Sequence, residues 1–106
     1  MINTGHDKNI FECEGNLPYD IEFKSYDNDK KEVAFFSVCT SRKIGSKSIS
    51  DKHSFVVKGE LLKLECLKQM KKGTRVHALG ILTYIKREGA NFPSAEIQCT
   101  NVEIIK

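Results

Sequence analysis

The sequence predicts an all-β fold in which five short strands close into a barrel, with one α-helix between strands 3 and 4. Three observations predict it. Apolar residues recur at every second position in five separate segments, the pattern of half-buried strands. Leucines at helical spacing occur in one place, between the third and fourth of those segments. The chain has 106 residues and is 40% hydrophobic, which suits a single domain with one modest core.

The elements follow in order. Residues 9–17 alternate Phe11 and Cys13 against Glu12 and Glu14. Pro18, which has no N–H to give to a ladder, breaks or bends this strand, and Ile21 and Phe23 then resume the alternation opposite Glu22 and Lys24. Asp27-Asn28-Asp29-Lys30-Lys31 is a polar turn. Residues 32–40 form the second strand, with Val33 and the Phe36/Val38 pair as core candidates. Residues 41–52 are polar, Ser-rich and basic with one Gly, and read as a long loop of the kind that is often functional. Residues 53–58 form the third strand. On it Lys52, Ser54, Val56 and Lys58 share one face, and His53, Phe55 and Val57 share the other.

Leu61, Leu64 and Leu67 then define a helix over residues 60–72, with Lys63, Lys68 and Lys71 off the apolar stripe and Gly73 placed to stop it. Residues 74–86 return to strand, with Val76, Ala78, Gly80, Leu82 and Tyr84 in period two. A turn at residues 87–91 leads into the last strand, residues 95–105. Three strands, a helix and two strands is the order of an OB-fold barrel. This domain covers residues 9–106, preceded by a flexible N-terminal segment, residues 1–8.

Charge is sorted along the chain. Residues 41–87 hold twelve of the seventeen Lys/Arg residues against three acids, a net of +9, whereas residues 1–40 hold four Lys against eight acids. Clustered cations attract polyanions at long range, and nucleic acid is the first polyanion to consider.

Several function classes find no support. Ser41, Ser46, Ser48, Ser50 and Ser54 lie near His53 in sequence, but nothing marks an activated nucleophile, so neither catalysis nor a cofactor is expected. Asp27-Asn28-Asp29 lacks the Gly and closing Glu of a calcium loop. Cys13, Cys39, Cys66 and Cys99 form no CxxC pair and no Cys/His cluster, which argues against zinc; Cys13, Cys39 and Cys99 are expected as buried, reduced thiols. The apolar runs are short, such as Val33-Ala34-Phe35-Phe36, and the polar start has no apolar leader segment. A cytoplasmic protein without membrane contact is the expectation.

Four blocks, in order and in register, carry a resemblance. They are Gly15-Asn16-Leu17-Pro18-Tyr19-Asp20; Phe36-Ser37-Val38-Cys39-Thr40-Ser41; His53 with Val56-Val57-Lys58-Gly59; and residues 71–82, beginning Lys71-Lys72-Gly73-Thr74. Together they resemble the bacterial-type single-stranded DNA-binding proteins over nearly the whole chain. The resemblance implies an OB barrel, usually a homotetramer, that coats single-stranded DNA by aromatic stacking and phosphate neutralisation. Carried over, the DNA face comprises Lys24, Tyr26, Arg42, Lys43, Lys47, Lys52, Ser54, Lys58, Lys86 and Arg87. Tyr84 joins Tyr26 as an aromatic for base contact, followed by Phe35 and Phe92. The oligomer interface carries over to Ile10, Glu12, Glu14, His53 and His77.

Three departures qualify the resemblance. Where the family commonly places stacking aromatics, this chain has Ile44, Lys52, Lys58 and Arg87, and it contains no Trp. Each stacked base is worth roughly 1–3 kcal/mol, so binding is expected to lean on charge. Glu12 and Glu14 stand on the strand used for subunit pairing, so a dimer is as admissible as a tetramer. The acidic tail through which the family recruits replication proteins has no counterpart before Lys106, which suggests a divergent, tailless relative or a trimmed chain. A protein–protein adaptor of a primosome-like complex and an RNA-binding OB module are the alternatives.

Overall fold

The computed structural model describes residues 7–26, 31–86 and 88–105, with Tyr26 described in its backbone. Six strands are formed: β1 (Phe11–Asn16), β2 (Glu22–Tyr26), β3 (Lys31–Ile44), β4 (Lys47–Lys58), β5 (Arg75–Ile85) and β6 (Ser94–Ile104). They lie in one sheet in the order β1-β5-β6-β4-β3-β2, and β1 also meets β3 at Asn16 and Cys39. The pairings therefore run in a circuit, β1–β5–β6–β4–β3–β1, with β2 attached to β3. The β4–β6 link is parallel and the rest are antiparallel.

The all-β class holds, but three expectations are corrected. The predicted first strand is two strands, because the chain changes partner at Pro18: β1 pairs with β5 and β2 with β3. Between them, Leu17 is buried and prolongs the β1–β5 pairing past Asn16↔Arg75, donating to Thr74 O at 2.8 Å and accepting from Gly73 N at 2.8 Å.

The predicted loop over residues 41–52 is instead a β-ribbon. The β3–β4 ladder continues through Ser41↔Ser50 to Ile44↔Lys47, closed by Gly45 and Ser46. Gly45 has φ +62°, the left-handed conformation that two-residue hairpin turns require at their first central residue. The ribbon faces solvent on both sides, so backbone pairing rather than burial holds it, and no apolar alternation announces it.

The predicted α-helix over residues 60–72 is replaced by two 3-10 turns, Gly59–Lys63 and Glu65–Gln69, separated by extended Leu64. The apolar stripe explains this. Leu61, Leu64, Leu67 and Met70 recur at every third residue, the period of a 3-10 helix, and an α-helix would rotate them progressively off one face. Backbone bonds follow the same step: Leu64 N to Leu61 O, Leu67 N to Leu64 O and Met70 N to Leu67 O, at 3.1, 3.3 and 3.2 Å. Leu67 and Met70 are buried and cap the core.

Phe55 is fully buried and stacks on Phe36, with centroids 4.8 Å apart and planes 3° from parallel, while Phe11 meets it edge-on at 5.9 Å. Val38, Val57, Val76, Ala78, Ile97 and Val102 complete the same inner face. At the β1–β3 junction Gly15 has no room for a side chain, since a Cβ there would overlap the Cys39 carbonyl. That lets β1 and β3 approach closely enough to complete the circuit. Of the polar turn expected at residues 27–31, Lys31 instead opens β3, while residues 27–30, residues 1–6 of the N-terminal segment, and Arg87 lie outside the described residues.

Candidate functional site

Strand register builds one continuous outer face. Because Ala34, Phe36 and Val38 point into the core, Val33, Phe35, Ser37, Cys39, Ser41 and Lys43 point outward from β3. Across the ladder, Phe35 faces Val56, Ser37 faces Ser54 and Cys39 faces Lys52. On the other side Phe35 faces Glu22, and Val33 faces Lys24. The parallel pairing Phe55↔Ile97 and Val56↔Gln98 carries the surface on to Glu96 and Gln98 of β6. Val56 is buried although it lies outside the core cluster, so this face is tightly covered at its centre.

The side chains on this face are organised by two cation–aromatic pairs. Lys52 Nζ donates to Tyr19 Oη at 2.8 Å and stands 5.2 Å from the centre of its ring. That hydrogen bond favours the charged ammonium and raises the Lys52 pKa above its ordinary value. Lys24 Nζ lies 5.5 Å from the Phe35 ring and 3.6 Å from Glu22 Oε1. Between the pairs lies a cleft of about 400 Å³, whose outward lining includes Tyr19, Glu22, Phe35, Ser37, Ser54 and Glu96.

Sequence-predicted residues fall on this surface unevenly. Lys24, Lys43, Lys52, Ser54 and Lys58 share the outer face, and Ser54 lines the cleft. Arg42 and Lys47 lie on the opposite face of the ribbon, where Arg42 Nε meets Asp51 Oδ2 at 3.1 Å. Tyr84 is 66% exposed near the end of β5 and sits opposite Ala95, a cleft residue, with exposed Lys86 just beyond. The Tyr26 side chain and Arg87 lie outside the description.

Sequence reasoning gave no role to Tyr19, Ser37 or Glu96. For Ser37 the signal was present, since assigning Phe36 and Val38 to the core turns Ser37 and Phe35 outward. For Tyr19, in a turn beyond Pro18, and Glu96, on a distant strand, the sequence carries no such signal.

Solved structures share this architecture. Among them is a Plasmodium falciparum SSB in complex with ssDNA, matched at a TM-score of 0.79 over 98% of this chain and 100% of that one, with 22% sequence identity. At that identity the likeness establishes the common fold. No family model matches the sequence, and no curated protein matches it.

The residues expected at an oligomer interface divide. Glu12, Glu14 and His77 face outward on β1 and β5, beside exposed Ile10. His77 Nε2 lies 2.6 Å from Glu12 Oε2 and its Nδ1 lies 3.7 Å from Glu103 Oε1; Arg75 Nη2 lies 3.5 Å from Glu14 Oε2. The Glu12 hydrogen bond, with the nearby Glu103 and Glu14 charges, raises the His77 pKa above 6.5. His53 points inward instead, bonded to Thr40 Oγ1 at 2.9 Å with its ring 5.1 Å from Phe11. Among the described residues, β1 pairs with β3 only at Asn16, so its edge from Phe11 to Gly15 is paired on one side.

The cysteines are free. Cys13, Cys66 and Cys99 pack in or against the core, and burial pushes Cys13 up to about 11 and Cys99 up to about 12. Cys39, expected in the core, is half-buried on the outer face, because Val38 takes the inward position. Among the described residues no cluster of His, Cys, Asp and Glu is arranged for a metal ion, and no helix is long and apolar enough to cross a membrane.

Proposed function

We propose that this chain binds single-stranded DNA without reading a defined sequence, on the outer face of β2, β3, β4 and β6, and protects it during replication, recombination or repair. The observation that carries the reading is the outer face itself. Lys24, Lys43, Lys52 and Lys58 are held in register on one outer face, which also opens a cleft lined by Tyr19 and Phe35. The cations neutralise phosphates while the rings and cleft receive bases. The fold it shares with an SSB solved together with ssDNA supports the same reading.

In this account the strand circuit is a five-stranded OB barrel, spanning residues 9–106 after a short N-terminal segment, and the chain is a divergent relative of the bacterial-type family. The ribbon, with Arg42 and Lys47 on its second face, and the β5–β6 hairpin, with Tyr84, Lys86 and Arg87, extend the track. The half-paired β1 edge, with Ile10, Glu12, Glu14 and His77, joins copies into a dimer or tetramer, and His53 braces the strand from inside. The protein acts in the cytoplasm, as a binder rather than an enzyme, without metal or cofactor.

Fluorescence anisotropy with labelled oligo(dT) over a salt series tests this. Four phosphates neutralised by the outer-face lysines give a slope of log K against log salt of about −3. Absence of binding at low salt refutes the reading and favours a protein adaptor.

A further inference from the structure

A surface built to receive a polyanion has carboxylates at its centre. Glu22, Glu96 and Asp20 all line the cleft, although phosphate oxygens approaching them meet like charge. Two of the three are engaged: Asp20 Oδ1 accepts the Lys72 backbone N–H at 2.7 Å, and Glu22 lies 3.6 Å from Lys24 Nζ. Glu96 differs. Its backbone is fixed by Thr83, whose Oγ1 donates to the Glu96 carbonyl at 2.8 Å, and its half-buried carboxylate has no ion-pair partner among the described residues. The Ser37 and Ser54 hydroxyls, opposite one another on β3 and β4, likewise have no partner among the described residues.

Resting on the single-stranded DNA reading, we infer that this cleft is a subsite for the Watson–Crick edge of bases carrying an exocyclic amino group, taken in preference to thymine. Tyr19 and Phe35 stand among its aromatic walls, Glu96 accepts from the amino group, and the Ser37 and Ser54 hydroxyls, which both donate and accept, serve the neighbouring ring nitrogen. The lysines lie at the margins, where phosphates can leave the cleft. Cytosine offers N4–H₂ beside the N3 acceptor, adenine N6–H₂ beside N1, and guanine N2–H₂ beside N1–H. Thymine presents O4 and O2 on either side of its single N–H, so both flanking atoms repel a carboxylate. The volume of about 400 Å³ lies within the range of small-molecule sites. The chain thus binds any sequence and holds amino-bearing bases longer.

Competition between oligo(dC) and oligo(dT) of equal length, near neutral pH and in low salt, tests the inference. The wild-type protein binds oligo(dC) about fivefold more tightly, the lower end of what one specific base contact discriminates. Glu96→Gln brings the ratio toward one while affinity for oligo(dT) rises, because a charge of the phosphates' own sign has left the face. Ser54→Ala lowers the ratio independently, without altering charge. A wild-type ratio at or below one, or a ratio unchanged in both variants while both oligonucleotides bind, overturns the subsite and leaves the DNA-binding reading standing. Failure to bind either oligonucleotide overturns both.

Discussion

Replacing Lys52 by Met removes the ammonium while keeping most of the aliphatic stem, and it isolates the charge at the centre of the proposed DNA track. Lys52 lies on the outer face between Ser50 and Ser54, opposite Cys39, with its ammonium held at Tyr19 Oη. Each phosphate neutralised on a single strand contributes about 0.7 to the slope of log K against log salt. Losing one contact therefore changes the slope from about −3 to about −2 and weakens binding about fivefold at 0.1 M salt relative to molar salt. Anisotropy titrations of labelled oligo(dT) over a salt series measure both quantities. Lys52→Arg restores the slope. Tyr19→Phe keeps the ring and removes only the hydroxyl acceptor, so it produces a smaller loss with the slope intact. Lys63→Met is the control, because Lys63 sits on the 3-10 segment beside Glu60, 3.0 Å away, and leaves the slope unchanged. A Lys52→Met protein that binds as tightly as wild type, or that loses affinity equally at all salt concentrations, refutes the assignment of Lys52 to a phosphate.

The other predictions concern stability and reactivity. Phe55→Ala empties the centre of the core beside Phe36 and costs about 3–5 kcal/mol, read from the urea midpoint at unchanged m-value. His77 has a raised pKa in the folded chain, so its contribution is fully present below its unfolded value of about 6.5 and is lost as pH rises through the folded value. Tm falls over that window in the wild type, and His77→Gln flattens the dependence. An aromatic disulfide reagent labels Cys39 ahead of the desolvated Cys13, Cys66 and Cys99; Cys39→Ser removes the fast phase, and bound oligo(dT) slows it in the wild type.

The sequence made the strands legible where one face is buried. Phe36 and Val38, Phe55 and Val57, and Val76 and Ala78 announce their strands because period two coincides with burial. Where burial ends, the signal ends. The ribbon beyond Thr40 has its ladder intact but both faces in water, so its polar side chains imitate a loop. Leu61, Leu64 and Leu67 signalled a helix correctly and its type wrongly; the step of three was itself the clue to 3-10 geometry, and Met70 continues it. The basic face was legible through alternation on β4, which puts Lys52, Ser54 and Lys58 together. The cleft was not legible, since it joins Tyr19 to Phe35, Ser54 and Glu96 across strands distant in sequence, and only the sheet order makes them neighbours.

The proposed DNA track is the outer face of β2, β3, β4 and β6, and the β1–β5 face lies outside it. Backbone amide chemical shifts followed by NMR as oligo(dT) is added test it most directly. Shifts are expected to concentrate at Lys24, Phe35, Ser37, Lys52 and Ser54, while Glu12, Glu14 and His77 stay in place. Shifts centred on Glu12, Arg75 and His77, or none at saturating oligonucleotide, would contradict it.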